Sequence, residues 1–179
     1  MKHQSIARRC AAVTAAAALA LGGSALLAPG AEAKPKPKPL KGNVTGTVSL
    51  ACAFGDSPFT YDAKIKVAGV RASKSAKPVK LTATMSDLPA VAPVPLDYDA
   101  EGEMDLTVGS VSTVLKGKGH LKADASAPAP MFPLKGAAST KSNSLPITVN
   151  EVSLTVLGMT IACTPVEGQG ALGTLKLKK

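Results

Sequence analysis

Asp97, Asp99, Glu101, Glu103 and Asp105 recur at every second position, and Lys116, Lys118, His120 and Lys122 repeat that spacing downstream. Carboxylates in such a row could hold Ca²⁺ or work as an acid/base pair on a glycoside. A strand, however, sets alternate side chains about 6.5–7 Å apart, too far for one compact oxygen cage. The stripe also matches no EF-hand loop and no Ca²⁺-binding nonapeptide repeat. Nothing marks which two carboxylates would act as a hydrolytic pair.

His120 is the one histidine beyond His3. HExxH zinc sites are therefore absent, and a Ser-His-Asp triad would have only this base. Its place in a lysine stripe would depress its pKa and orient it poorly. There is no G-x-S-x-G elbow and no glycine-rich phosphate loop in a strand-to-helix context. No catalytic residue, metal ligand or cofactor emerges. A secreted hydrolase using carboxylates of the 97–105 stripe stands as the enzymatic alternative.

The two stripes explain each other as a hairpin turning near Gly109–Ser112. Asp105 would then face Lys116, Glu103 face Lys118, Glu101 face His120, and Asp99 face Lys122. Opposite charges across an antiparallel pair contribute about 0.2–1 kcal/mol each, while like charges along one strand repel. A register shifted by two residues satisfies the charges almost as well.

The remaining reactive side chains are cysteines. Lys2, Arg8 and Arg9 precede an uncharged Ala/Leu-rich run over 11–28. Pro29-Gly30 and the small-x-small sequence Ala31-Glu32-Ala33 follow it. This predicts a secretory signal peptide over residues 1–33, which removes Cys10. Cys52 and Cys163 are left, in an oxidising compartment, and one disulfide follows. No C-x-x-C spacing suggests redox work. The pair encloses a loop of 110 intervening residues, for which the chain-entropy account assigns about 4–5 kcal/mol.

Charge sits at the ends. Removing Lys2, Arg8, Arg9 and Glu32 from 21 basic and 12 acidic residues leaves 18 against 11. Lys34, Lys36, Lys38 and Lys41 belong to a Lys-Pro run, KPKPKPLK, and Lys176, Lys178 and Lys179 close the chain. The body between is neutral on balance. Proline fixes φ and removes donors, so residues 34–43 read as an extended, disordered tail. Such a tail could tether the protein electrostatically to an anionic cell-wall polymer, to lipid headgroups or to another extracellular protein. Secretion and the lack of tryptophan argue against a nucleic-acid partner.

The elements that must position these residues are strands. Val44–Phe54 alternates Val44, Gly46, Val48, Leu50, Cys52 and Phe54 against small polar residues, a period of two. Phe59–Val67, Pro78–Met85, the two charged stripes, Pro146–Gly158 (as two strand-like pieces), Met159–Cys163 and Ala171–Lys178 continue the pattern. Gly69–Lys77, which is polar and basic, Ser86–Pro95, Asp124–Lys135 and Gly136–Ser144 read as connections. No helical periodicity follows the signal peptide. The expectation is an all-β, two-layer antiparallel sandwich, immunoglobulin-like or related, over 44–179, with seven to nine strands and one disulfide.

The early strand ending Val48-Ser-Leu-Ala-Cys52, the late Met159-Thr-Ile-Ala-Cys163 and the run Pro146–Val156 resemble a group of secreted actinobacterial two-cysteine β-sandwich domains of unknown function. The resemblance implies a secreted sandwich without established activity and supplies no functional residues. The expected function is a non-enzymatic extracellular module associated with the cell envelope or a partner. An inhibitor presenting the loop Ala90–Pro95, or a coat protein, is the remaining alternative.

Overall fold

The computed structural model describes residues 37–179 apart from 90, 91 and 93. The expected signal peptide, and Lys34 and Lys36 of the tail, lie outside the described residues. Nine strands run in order: β1 (Leu40–Phe54), β2 (Ser57–Arg71), β3 (Pro78–Met85), β4 (Leu96–Val108), β5 (Val111–Ala123), β6 (Leu134–Ser139), β7 (Ser144–Val156), β8 (Met159–Pro165) and β9 (Ala171–Lys176). All pair antiparallel within one sheet of order β4-β5-β6-β3-β2-β1-β8-β7-β9. A further β4–β7 pairing joins its ends. The all-β fold is thus one sheet that folds over and closes on itself, a flattened barrel whose inward faces meet across a single core as the layers of a sandwich do.

Alternation drives this arrangement. In β2, Tyr61, Ala63, Ile65 and Val67 are buried while Asp62, Lys64 and Lys66 are exposed. Each aliphatic side chain fully buried in this way contributes about 1.5–3 kcal/mol. Glycines open space where another segment crosses the inner face. A Cβ at Gly119 would lie 2.5 Å from the Phe132 ring, and one at Gly117 would lie 2.6 Å from the Pro133 carbonyl oxygen. The glycines between the lysines of β5 therefore make room for Phe132–Leu134. Gly46 does the same for β9, since a Cβ there would lie 2.8 Å from the Leu172 oxygen.

The structure departs from the sequence expectations in four places. β1 begins at Leu40, so Lys41, assigned to the tail, is a strand residue. β6 forms where a polar connection was expected: Leu134 and Ala138 are buried and pair with β3. β7 is one strand whose register against β4 shifts at Asn150, between the pairs Asp105↔Glu151 and Leu106↔Val149. One extra residue bulges without ending the strand. Finally, the charged hairpin turns through two residues, Gly109–Ser110, with Gly109 at φ 66°. A two-residue hairpin turn favours glycine at such a position. The register moves by two from the one first expected, to Asp99↔His120, Glu101↔Lys118 and Glu103↔Lys116. Met104 then faces Leu115 rather than Gly117, so two bulky apolar side chains pack together.

Candidate functional site

The carboxylate and lysine stripes share one outer face of β4 and β5. Lys116 Nζ lies 2.6 Å from Glu103 Oε1, and Lys118 pairs with Glu101. Both pairs are half-exposed or more, and such surface pairs contribute at most about 1 kcal/mol. The carboxylates therefore face solvent and lysines on an open sheet, not each other across a cleft. Among the described residues, no three of His, Cys, Asp and Glu converge to hold a metal ion.

His120 sits between two carboxylates. Its Nδ1 lies 3.0 Å from Asp99 Oδ1 and its Nε2 lies 2.6 Å from Asp97 Oδ1. Two acceptors at the two ring nitrogens favour the doubly protonated ring, which alone donates from both. Its pKa is accordingly raised, first by Asp99 and then by Asp97. This corrects the expectation that neighbouring lysines would depress it: the register places carboxylates closer than lysines. A ¹H–¹⁵N imidazole titration is expected to put the His120 midpoint above the ordinary 6.5, and Asp99→Asn should lower it. A raised folded-state value means the contact stabilises the fold while the ring is charged. The contribution is full below the unfolded-state pKa and is lost as pH rises through the folded-state value.

A second feature lies at the end of the barrel that holds both termini. Leu40 pairs with Arg71. Lys41 and Lys178 exchange two backbone hydrogen bonds of 2.8 and 2.9 Å, Leu177 N–H donates to Asn143 O, and Thr140 N–H donates to Lys77 O. These bonds draw together the N-terminal strand start, the 72–77 turn, the 140–143 loop and the C-terminus. Lys38, Lys41, Lys74, Lys77, Lys141, Lys176, Lys178 and Lys179 are all exposed there. No Asp or Glu occurs in those segments. The lysines of the two termini, which lie far apart along the chain, thus join a folded cationic face. Only the closing of the ring, which brings β9 beside the start of β1, reveals this.

Arg71 organises that face from beneath. It is fully buried, although the sequence places it in a polar connection. Its Nη1 donates to Lys141 O (2.9 Å) and Asn143 Oδ1 (2.6 Å), and its Nη2 donates to Thr140 O (2.8 Å) and Ser142 O (2.6 Å). The guanidinium fork shapes the loop that carries Lys141.

The opposite end is apolar. The β1–β2 tip, Leu88, Ala92 and Val94 of the β3–β4 connection, the end of β5 and the β7–β8 tip surround a cleft of about 250 Å³, lined also by Phe54, Leu96, Tyr98, Leu154 and Met159. Leu157 and Gly158 make the two-residue β7–β8 turn, both at positive φ, 52° and 77°. Leu157 is 65% exposed and borders both the cleft and an open groove containing Asp99, Glu101, Lys118 and His120. A leucine in the left-handed region costs about 1–3 kcal/mol where Asn or Gly would fit freely. In the candidate inhibitory loop, Ala90, Val91 and Pro93 lie outside the described residues, while Ala92 and Val94 line the cleft. Sequence reading missed this cleft, because its walls are core residues of five separate strands. The run Val156-Leu157-Gly158-Met159 at a hairpin tip was the available signal.

The disulfide joins Cys52 of β1 to Cys163 of β8, residues directly opposite in the ladder. It indicates that the protein folds in an oxidising compartment. No family model, curated protein or solved structure matches this chain.

Proposed function

We propose that the protein is a secreted, non-enzymatic β-sandwich module that attaches to the polyanionic surface of the cell envelope through its cationic end. The reading rests on eight exposed lysines in hydrogen-bonded neighbouring segments that hold no carboxylate. The leader-like residues 1–33 and the disulfide support an extracellular setting. Phosphate- or carboxylate-bearing wall polymers and anionic lipid headgroups offer the same chemistry, a dense array of negative charge. Each lysine near such a surface contributes about 1 kcal/mol, and the attraction fades beyond a Debye length of about 10 Å at 0.1 M salt.

The test is binding of the protein to isolated cell envelopes and, separately, to anionic and neutral vesicles. Wild-type binding is expected to weaken steeply with added salt. Charge reversal at Lys74, Lys77, Lys141 and Lys178 should remove at least about 4 kcal/mol, a thousandfold or more in affinity. Removal of Lys34–Pro39 should weaken binding less, because the folded lysines remain. Binding that survives both about 0.5 M salt, where screening is within a few Å, and the fourfold reversal would rule out the cationic end as the site.

A further inference from the structure

We propose that the apolar cleft at the end remote from the termini receives the Lys-Pro segment Lys34–Pro39 of a second copy, so that the protein assembles head to tail. The inference goes beyond envelope attachment and concerns the other end of the molecule.

The cleft's own chemistry selects such an occupant. Its lining is almost wholly apolar, so an ordinary peptide entering it would leave backbone N–H groups without partners, at a cost of about 1–3 kcal/mol each. Pro35, Pro37 and Pro39 have no N–H to lose, which halves that cost over the six residues, and alternating prolines restrict a free chain toward polyproline II, which lowers the entropy cost of docking. Aromatic side chains receive proline rings in this manner, and Tyr98 and Phe54 lie in the cleft wall.

Charge complements the same segment. The elements surrounding the cleft carry exposed Asp56, Asp87 and Asp124; Asp97 and Asp99 nearby are paired with His120, and Lys122 is the neighbouring lysine on β5. Lysines between the prolines would keep their stems along the apolar rim and carry their ammonium groups outward to these carboxylates. Leu157 adds an independent sign. An exposed leucine held at φ 52° on a hairpin tip works against stability and solubility, and strain of this kind collects at binding sites.

Distance decides that the occupant belongs to another copy. The segment leaves its own domain at the start of β1, whose 15 residues span about 50 Å at about 3.3 Å per residue. Six residues in polyproline II reach only about 19 Å. The contact is heterologous: cleft and segment occupy opposite ends, so each copy keeps one of each free for the next.

Every strand lies within residues 40–179, so a chain beginning at Lys34 retains the whole fold for sedimentation velocity. Wild type is expected to sediment faster as concentration rises, and 0.5 M NaCl should weaken the association at least tenfold. Leu157→Asn, which relieves the strained turn and is expected to fold at least as stably, should remain monomeric. So should a chain that begins at Leu40. Mixed, these two monomers should form a 1:1 dimer and nothing larger, because one supplies the segment and the other the cleft. Association that persists in the chain starting at Leu40 would instead indicate a cleft-to-cleft contact and overturn the proposal. Failure of wild type to associate, of Leu157→Asn to block association, or of the two variants to pair would overturn it equally. Envelope binding by Leu157→Asn, compared at concentrations where wild type is also monomeric, should stay at the wild-type level, which separates failure here from failure of the cationic end.

Discussion

Arg71→Met is expected to destabilise the fold by about 3–5 kcal/mol, the loss of four charge-assisted hydrogen bonds less what the partly exposed loop regains from water. The four N–H groups on Nη1 and Nη2 are all used, on three carbonyl oxygens and the Asn143 side-chain oxygen. Methionine fills a similar volume but leaves all four part-buried acceptors without their donors. Each lost bond to a charged donor weighs about 1.5–3 kcal/mol, partly recovered when the 140–143 loop opens to water. Arg71→Lys should recover only part of the loss, because an ammonium cannot present two parallel forks. Urea titration gives the magnitude, and hydrogen exchange gives the place. Protection should fall first at Leu177, whose N–H bonds Asn143 O, and at the amides of β9. A loss under 1 kcal/mol would mean that the loop carbonyls find water freely and that the arginine is no keystone. For a domain whose total stability is in the usual range of about 5–15 kcal/mol, the expected loss leaves little margin at 37 °C. The cationic face would loosen with it, since the loop that Arg71 holds carries Lys141.

The strands were legible because period-two burial is a local property. Val79, Leu81 and Ala83 point inward in β3 over the span that alternation predicts. Pairing of the charged stripes was legible too, since unlike charges mark neighbours. Its register was not: two settings two residues apart satisfy the charges, and the turn chemistry of Gly109–Ser110 chooses between them. β6 escaped because Leu134-Lys-Gly-Ala-Ala-Ser139 is short and weakly apolar, and its strand state is imposed by pairing with β3. Arg71 read as solvent-exposed because nothing local announces that four acceptors will converge on it from some 70 residues away.

The two ends of the barrel were the hardest to see. Each is assembled from segments far apart in sequence, and each acquires its character only when the ring closes. The lysines of the tail and of the C-terminus are ordinary solvated charges until the Lys41–Lys178 bonds set them on one face. Leu157 is an unremarkable strand residue until its turn lifts it to the lip of a cleft. The chain thereby keeps the lysines of its two termini away from its apolar opening, the separation on which the proposed attachment and assembly both rest.

The Cys52→Ala/Cys163→Ala variant is expected to lose about 4–5 kcal/mol, and the location of the bridge explains why. Three joints of the ring, β1–β2, β4–β5 and β7–β8, are hairpins closed by two-residue turns at little entropic cost. The β1–β8 joint is different: it rests on five paired residues on each side, Leu50–Phe54 against Ile161–Pro165, whose central pair is Cys52 and Cys163. The two cysteines are 111 residues apart, so the reduced chain must close a loop for which the entropy cost is about 4.7 kcal/mol. Both side chains are buried, and alanine fits there without overpacking, so the loss should come mainly from the unfolded state. That has a measurable consequence. Without the cross-link the unfolded chain expands and exposes more surface, so the urea m-value should rise while the midpoint falls. A cavity or a broken hydrogen bond would lower the midpoint at constant m. Hydrogen exchange should show Leu50–Phe54 and Ile161–Pro165 losing protection before β2 and β3, as the ring opens at its least local joint. An unchanged midpoint would show that β7, β9 and the facing core hold the ring shut unaided, and the oxidising compartment would then be a circumstance of the fold and not a requirement.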